Sequence, residues 1–342
     1  MKDLMDMQKK LYPDITHVIG QRYSILGTVD LFQPIGRRSL AENTGITERV
    51  VRSEIAFLHK QDLIDITTKG MHITKEGKLV LEQLSQLMKE ISGLATLERK
   101  LEKELPVKKV IVVPGNSDVY AWVKQEMGKA CVSHLKLDIK PKHTIAVTGG
   151  TTMAALSDVM IPLPTMNNGM FLPARGGLGE NAENQANAIA TKMAKKANGT
   201  YRQLYVPDPL SESSYQTIIQ EPTVIDVLQR IKNAEVVIHG IGDALTMANR
   251  RKTSTEILEK LTSEHAVGEA FGYYFDADGH IVHKVRTVGI HLEDLPFIET
   301  VITIAGGKSK ARPITSYFKH AKSDVLITDE SAAKEILKGM PL

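Results

Sequence analysis

The chemistry-bearing stretch of this chain is residues 144–156, Thr-Ile-Ala-Val-Thr-Gly-Gly-Thr-Thr-Met-Ala-Ala-Leu, an apolar strand running into a glycine pair, two threonines and a helical start. Gly149 and Gly150 let the backbone turn sharply and approach a ligand closely. Thr151 and Thr152 add hydroxyls beside the unpaired amides and positive dipole end of the following helix. Phosphate suits such a cradle best; taken alone, the stretch reads equally well as a strand-to-helix turn with a threonine cap.

Cations recur after other glycine loops and shift that balance. Arg175 stands in Arg-Gly-Gly-Leu-Gly, Arg250 and Arg251 form a pair, and Lys308 and Lys310 follow a second Gly-Gly. Arginine makes bidentate contacts to phosphate oxygens, and glycine loops add amides. Gln185 and Glu269 would bond sugar hydroxyls between the charged ends. Each basic residue alone reads as a surface charge; jointly, after separate glycine loops, they read as a ligand site.

Other chemistry is disfavoured. Gly307-Lys308-Ser309 ends like a Walker loop, but Ile302 stands where that loop needs its first glycine. Gly240-Ile-Gly242 begins like a dinucleotide fingerprint, but Leu245 occupies the third glycine position. Neither ATP, NAD nor any other cofactor is expected. His239 and Asp243 flank Gly240-Ile-Gly242, and Asp278-Gly-His280 adds a second acid and imidazole, which on paper would serve a sugar-phosphate isomerase or deaminase. Asp276-Ala-Asp-Gly-His280 reads more simply as the turn of a hairpin between Gly272-Tyr-Tyr-Phe and Ile281-Val-His-Lys-Val, so no catalytic residue is assigned. The histidines are scattered, and His280 and His283 lack a partner at ligand spacing, so no metal is assigned.

The elements that must position these residues follow from the apolar runs. Lys109-Val-Ile-Val-Val, Ile145-Ala-Val, Met170-Phe-Leu, Val236-Val-Ile-His, Val301-Ile-Thr-Ile and Val325-Leu-Ile-Thr each end in glycine or a polar loop before a helical stretch. Continuous apolar strands alternating with helices predict an α/β domain over residues 106–342, a doubly wound, mostly parallel sheet covered on both faces. Ligands of such sheets bind outside the carboxyl ends of the strands, where these glycines lie.

Residues 1–74 have a different texture. Leu4, Met7, Leu11, Ile15, Ile19 and Ile25 carry a mostly helical spacing that Pro13 interrupts. A short helix with Ile35, Leu40 and Ala41 inward, a break at Thr44-Gly-Ile, and a second helix with Val50, Val51, Ile55 and Leu58 as its stripe come next. An alternating hairpin around Lys69-Gly70 follows. That order predicts a winged helix-turn-helix with its second helix in the major groove of operator DNA. Arg37, Arg38 and Ser39 would meet backbone phosphates; Thr47, Arg49, Arg52 and Ser53 lie on the reading helix, and Lys69 tips the wing. A solvated protein-protein module is the competing reading. Glu48 and Glu54 either exclude wrong bases or face solvent. Residues 75–105, with Leu81, Leu84, Met88 and Ile91 recurring at helical spacing, predict one helical linker or two helices parted at Gly93; a homodimer or homotetramer is expected, because such readers engage two half-sites.

Composition agrees. In 342 residues, 42% are hydrophobic and 24% charged, and a net charge of +3 confines any nucleic-acid surface to a local patch. The single cysteine, Cys131, excludes an internal disulfide and suits the cytoplasm. No apolar run approaches the roughly 18 to 20 residues of a membrane span, so no membrane partner is expected.

The strings Ile35-Gly-Arg-Arg-Ser-Leu, Val147-Thr-Gly-Gly-Thr-Thr, Pro173-Ala-Arg-Gly-Gly-Leu-Gly-Glu, His239-Gly-Ile-Gly, Glu269-Ala-Phe-Gly-Tyr-Tyr-Phe and Ala305-Gly-Gly resemble the SorC family of sugar-responsive bacterial transcriptional regulators, over essentially the whole chain. The resemblance implies a repressor of a glycolytic operon whose effector domain is similar in fold to sugar-phosphate isomerases and deaminases and binds fructose 1,6-bisphosphate. By matching position, Gly149, Gly150, Thr151, Thr152, Arg175, Gln185, Arg250, Arg251, Glu269 and Lys310 would contact that effector, and residues 37–56 would read DNA.

Overall fold

The computed structural model describes residues 13–91, 93–163, 166, 169–177, 181–208 and 210–339. Leu4, Met7 and Leu11, the loop tip Leu178-Gly179-Glu180 and part of the 161–169 loop lie outside them. The chain divides into two compact units, one running to Thr96 and including Tyr120–Trp122, the other comprising Leu97–Val119 and the chain from Val123 onward.

In the first unit, helices Pro13–Phe32, Arg37–Thr44 and Glu48–Lys60 precede an antiparallel hairpin of β1 (Ile64–Thr67) and β2 (Gly70–Ile73). Arg37–Thr44 stops because Gly45 adopts a left-handed φ of 66°. Leu40 and Ala41 of this helix, with Val51, Ile55 and Leu58 of the next, are buried, as their spacing predicts; Val50 is only half-buried. The hairpin is fastened to the reader by paired hydrogen bonds between Ile35 and Met71, of 3.2 and 2.9 Å. Gly70 is required there, since a Cβ on it would stand 2.9 Å from Ile35 N. Helix Lys75–Ile91 ends this stretch; helix Leu94–Glu104, whose residues from Leu97 belong to the second unit, is parted from it at Gly93 with φ of 70°, so the linker is two helices.

The strands of the second unit, in chain order, are β3 (Lys109–Val113), β4 (Thr144–Val147), β5 (Met170–Pro173), β6 (Thr200–Tyr201), β7 (Val236–His239), β8 (Gly242–Asp243), β9 (Gly268–Ala270), β10 (Tyr273–Phe275), β11 (Ile281–Lys284), β12 (Thr300–Ile304) and β13 (Val325–Asp329). Seven form a parallel sheet in the order β3-β13-β12-β7-β4-β5-β6. All six predicted strands are in it; β6, only two residues long, carried no sequence signal. From β4 the chain builds outward through β5 and β6, and from β7 it builds the other way through β12 and β13. The order therefore reverses between β4 and β7, and a crevice opens at their carboxyl ends. Val112, Ile145, Val147, Phe171, Leu172, Val237, Ile238, Ile302 and Leu326 are fully buried, so the helices cover both faces.

A second, antiparallel sheet runs β11-β10-β9-β8. The sequence predicted its β10–β11 hairpin but not β8 and β9, which hold two and three residues. β9 and β10 join through Phe271 (φ 53°) and Gly272 (φ 87°), a pair of left-handed residues that closes a two-residue turn. Among the described residues no helix is long and apolar enough to cross a membrane.

Candidate functional site

The loops after β4, β5, β7 and β12, with β9 and its turn, enclose a cavity of about 360 Å³ at the switch point. All ten residues assigned to the effector from sequence line it: Gly149, Gly150, Thr151, Thr152, Arg175, Gln185, Arg250, Arg251, Glu269 and Lys310. The volume lies within the usual range of small-ligand sites, roughly 300 to 1,000 Å³.

One wall is the start of helix Thr151–Val159. Gly150, its cap residue, has φ of 119° and no side chain to fill the cap. Its own N–H donates to Asn184 O at 2.8 Å, and the first helical acceptor serves Ala154. Thr151, Thr152 and Met153 line the cavity, and as the first residues of the helix their amides have no intrahelical acceptor. Gly149 must be glycine, because a Cβ there would stand 2.6 Å from Asn184 O. Lys124 Nζ donates to Thr151 Oγ1 at 3.3 Å from helix Ala121–Asp138, bringing a further cation to this end.

The floor is a buried charge network. Arg251 donates to Glu269 Oε1 and to Tyr274 Oη, both at 2.8 Å, and Glu269 Oε1 also accepts the turn N–H of Gly272 at 2.7 Å. Arg175 pairs with Asp208 and lies 3.6 Å from the same Glu269 oxygen. Burial alone would raise the Glu269 carboxyl; Arg251, Arg175 and the Gly272 N–H outweigh it and hold the group below its ordinary range. Burial would likewise lower Arg251, but Glu269, Tyr274 and Asp208 keep it above its ordinary value. The sequence offers Arg175 and Arg251 as phosphate candidates; in the structure each is matched by a buried carboxylate, and Asp208, a residue no motif marked, backs the cavity through Arg175.

Arg250 and Lys310 differ from that pair. Neither has a carboxylate within ion-pairing distance among the described residues, and Arg250 donates only to Met247 Sδ at 3.9 Å. Burial pushes the Lys310 ammonium down, against the pull of Asp243, Asp118 and Glu269, and Lys124 adds to the fall. Lys308, offered with it, pairs with Glu335 at 3.8 Å and does not line the cavity.

The acid-base groups weighed for an enzyme are otherwise engaged. His239 is fully buried and not part of the cavity wall. Its Nδ1–H donates to Gly240 O at 3.1 Å, and Nε2 stands 2.8 Å from Thr303 Oγ1 and 3.0 Å from Tyr317 Oη. Burial lowers this imidazole to about 4, so it stays neutral. Asp243 caps helix Ala244–Arg250 by accepting from Thr246 N at 2.9 Å and Thr246 Oγ1 at 2.7 Å. Asp276 accepts the Asp278 and His280 amides at 2.8 and 2.9 Å, the turn the sequence predicted. Among the described residues no group of His, Cys, Asp and Glu has a metal-binding arrangement.

In the first unit Arg37, Arg38, Ser39, Thr47, Arg49, Arg52, Ser53 and Lys69 are all exposed. Thr47 is the cap residue of helix Glu48–Lys60, and Lys69 lies at the hairpin tip, where its N–H donates to Thr67 Oγ1 at 3.2 Å. Arg38 pairs with Glu42 at 3.3 Å. Glu54 pairs with Arg22 of the first helix at 2.7 Å, and Arg22 also covers the Phe57 ring, so Glu54 supports the reader and does not face outward. Glu48 is exposed in the first turn.

A winged helix-turn-helix followed by a parallel α/β unit with an anion-ready cavity is the build of a ligand-responsive transcription regulator. Comparison with known proteins agrees: residues 18–88 match the CggR N-terminal DNA binding domain, and residues 89–338 match the family described as "Putative sugar-binding domain". The central glycolytic genes regulators of Priestia megaterium and Bacillus subtilis are 52% and 50% identical, over 99% of this chain and of theirs. A solved "putative SorC family transcriptional regulator" from Enterococcus faecalis is 43% identical, covering 71% of this chain and 99% of its own at a TM-score of 0.67. The full-length sorbitol operon regulator SorC from Klebsiella pneumoniae, 16% identical with a TM-score of 0.65 over 95% of this chain, shares the fold.

The chain belongs to the central glycolytic genes regulators of the SorC family. It is a DNA-binding regulator of glycolytic gene transcription with a sugar-binding domain.

Proposed function

We propose that this regulator represses its operon by holding operator DNA as a homodimer or homotetramer, and that fructose 1,6-bisphosphate in the cavity relieves that hold. The observation that carries the reading is the pairing of an open helix start at Thr151 with Arg250 and Lys310, the cavity cations without carboxylate partners among the described residues. A ligand with phosphate at both ends uses both groups at once. One phosphate takes the amides of Thr151 and Thr152, their hydroxyls and Arg175, and the other takes Arg250; Lys310 adds charge, while Gln185 and Glu269 meet the sugar hydroxyls. Arg37, Arg38, Ser39, Thr47, Arg49, Arg52, Ser53 and Lys69 form the DNA surface.

Effector and operator are then linked reciprocally. Each weakens the other by the same factor, typically about 5- to 150-fold. Titration calorimetry with fructose 1,6-bisphosphate and fructose 6-phosphate tests the two-ended site. The bisphosphate is expected to bind at least about tenfold more tightly, the worth of one charge-assisted contact. Equal affinities would reject a second phosphate subsite.

A further inference from the structure

Arg175 reaches the cavity from the loop after β5 with its guanidinium already engaged by two carboxylates, Asp208 and Glu269. The two are not equivalent. Glu269 is locked, since the oxygen near Arg175 also accepts from Arg251 Nη2 at 2.8 Å and from Gly272 N at 2.7 Å. Asp208 has Arg175 as its one side-chain partner among the described residues, and the pairing uses a single oxygen. A guanidinium and a carboxylate matched fork to fork use both oxygens and two nitrogens. Here Asp208 Oδ1 and Arg175 Nε are buried with no hydrogen-bond partner among the described residues. Asp208 is only 4% exposed, so the idle oxygen is shielded from bulk solvent.

The backbone beside this pair is fastened in register. Gly177 N donates to Val206 O, and Asp208 N donates to Gly177 O, both at 3.0 Å. A Cβ on Gly176 would stand 2.4 Å from Val206 O. Residues 206–208 thus lie flush on the loop that carries Arg175, and whatever turns Arg175 away from Asp208 removes a main tie between them.

We propose that Asp208 is an internal anion that competes for Arg175, and that a phosphate group of the bound ligand replaces it and loosens residues 206–208 from the Arg175 loop. The inference rests on the reading of the cavity as a sugar-phosphate site. Glu269 stays beside Arg175 throughout, so the exchange swaps one anion for another, and the released carboxylate turns to water as its segment lifts. Asp208 thereby determines selectivity. A neutral sugar cannot take its place, and a phosphorylated one must out-compete it.

The test uses the full chain with fructose 1,6-bisphosphate and inorganic phosphate as probes. In the unmodified chain, the bisphosphate is expected to speed amide exchange at Gly177 and Asp208 about tenfold while protecting Thr151 to Met153. Asp208→Asn removes the competitor and tightens both probes about tenfold, whereas Asp208→Glu keeps the charge and tightens neither. Binding of the bisphosphate with Gly177 and Asp208 as protected as before overturns the exchange. So does a folded Asn variant that binds no more tightly than the unmodified chain. Should the Asn variant melt early, amide exchange in the unmodified chain decides alone. A chain that binds no sugar phosphate at all rejects the functional reading, and the exchange with it.

Discussion

Two glycine pairs follow parallel strands in the second unit, and they have opposite fates. Gly149-Gly150 after β4 and Gly306-Gly307 after β12 both lead into helices, and the second glycine of each is left-handed, at φ of 119° and 96°. The first pair opens onto the cavity. The second is filled from within: Gly307 N donates to the buried Asp329 at 2.6 Å, and Asp118 accepts from Ser309 N at 2.9 Å and Ser309 Oγ at 2.7 Å. A Cβ on Gly307 would stand 2.2 Å from Asp118 Oδ1. The glycines supply only the backbone shape; what faces the amides decides whether a cavity is left open. The neighbouring arginines repeat the contrast, since Arg251 is committed to Glu269 and Arg250 is not.

Substitutions sharpen or break that contrast. The largest effect is expected at Arg251→Ala, which strands the buried Glu269 carboxylate and costs about 3–5 kcal/mol of stability, read by denaturant unfolding of the second unit. A loss below about 1 kcal/mol would show that the network is not structural. Next comes Gly149→Val, whose side chain meets Asn184 backbone and costs about 100-fold in sugar-bisphosphate affinity by calorimetry. Its counterpart Gly307→Ala, strained by its left-handed φ, costs about 1–2 kcal/mol of stability and leaves affinity nearly unchanged. If Gly307→Ala lost affinity and kept stability, the two loops would not differ as described.

Smaller again is Arg250→Ala, expected to lower affinity about tenfold with the melting point unmoved, because no buried partner is stranded. The weakest effect is that of pH on Lys310. Burial lowers its pKa in the empty site, and a bound phosphate raises it, so binding takes up a proton once the empty site has begun to deprotonate. Affinity is full below the empty-site pKa and falls as pH rises through it, at a pH lower than an exposed lysine would require. Calorimetry at rising pH checks this, with Lys310→Met as the control whose slope is flatter. An unchanged slope in the control would assign the pH dependence to another group.

The parallel strands were legible because buried strands write themselves as continuous apolar runs, and the glycines after them marked the edge where the cavity opens. The reader was legible from helical spacing and the Lys69-Gly70 turn. The commitment of Arg175 to Asp208 was not. Its partner is remote in sequence, as are Asp118 from Ser309 and Asp329 from Gly307, and no local pattern announces a carboxylate that will arrive from another loop. From sequence alone Lys308, after Gly306-Gly307, therefore reads as a phosphate candidate as readily as Lys310. β6, β8 and β9 were missed for the opposite reason, since two or three residues are too few to show a period.

One measurement bears most directly on an effector-switched repressor: anisotropy of a labelled operator fragment titrated with the full chain at fixed salt, with and without fructose 1,6-bisphosphate. Salt is held constant because it alone moves such affinities by orders of magnitude. The proposed mechanism expects the bisphosphate to weaken or loosen the complex, and fructose 6-phosphate at the same concentration to leave it nearly intact. Tight operator binding that the bisphosphate occupies but does not alter would contradict it.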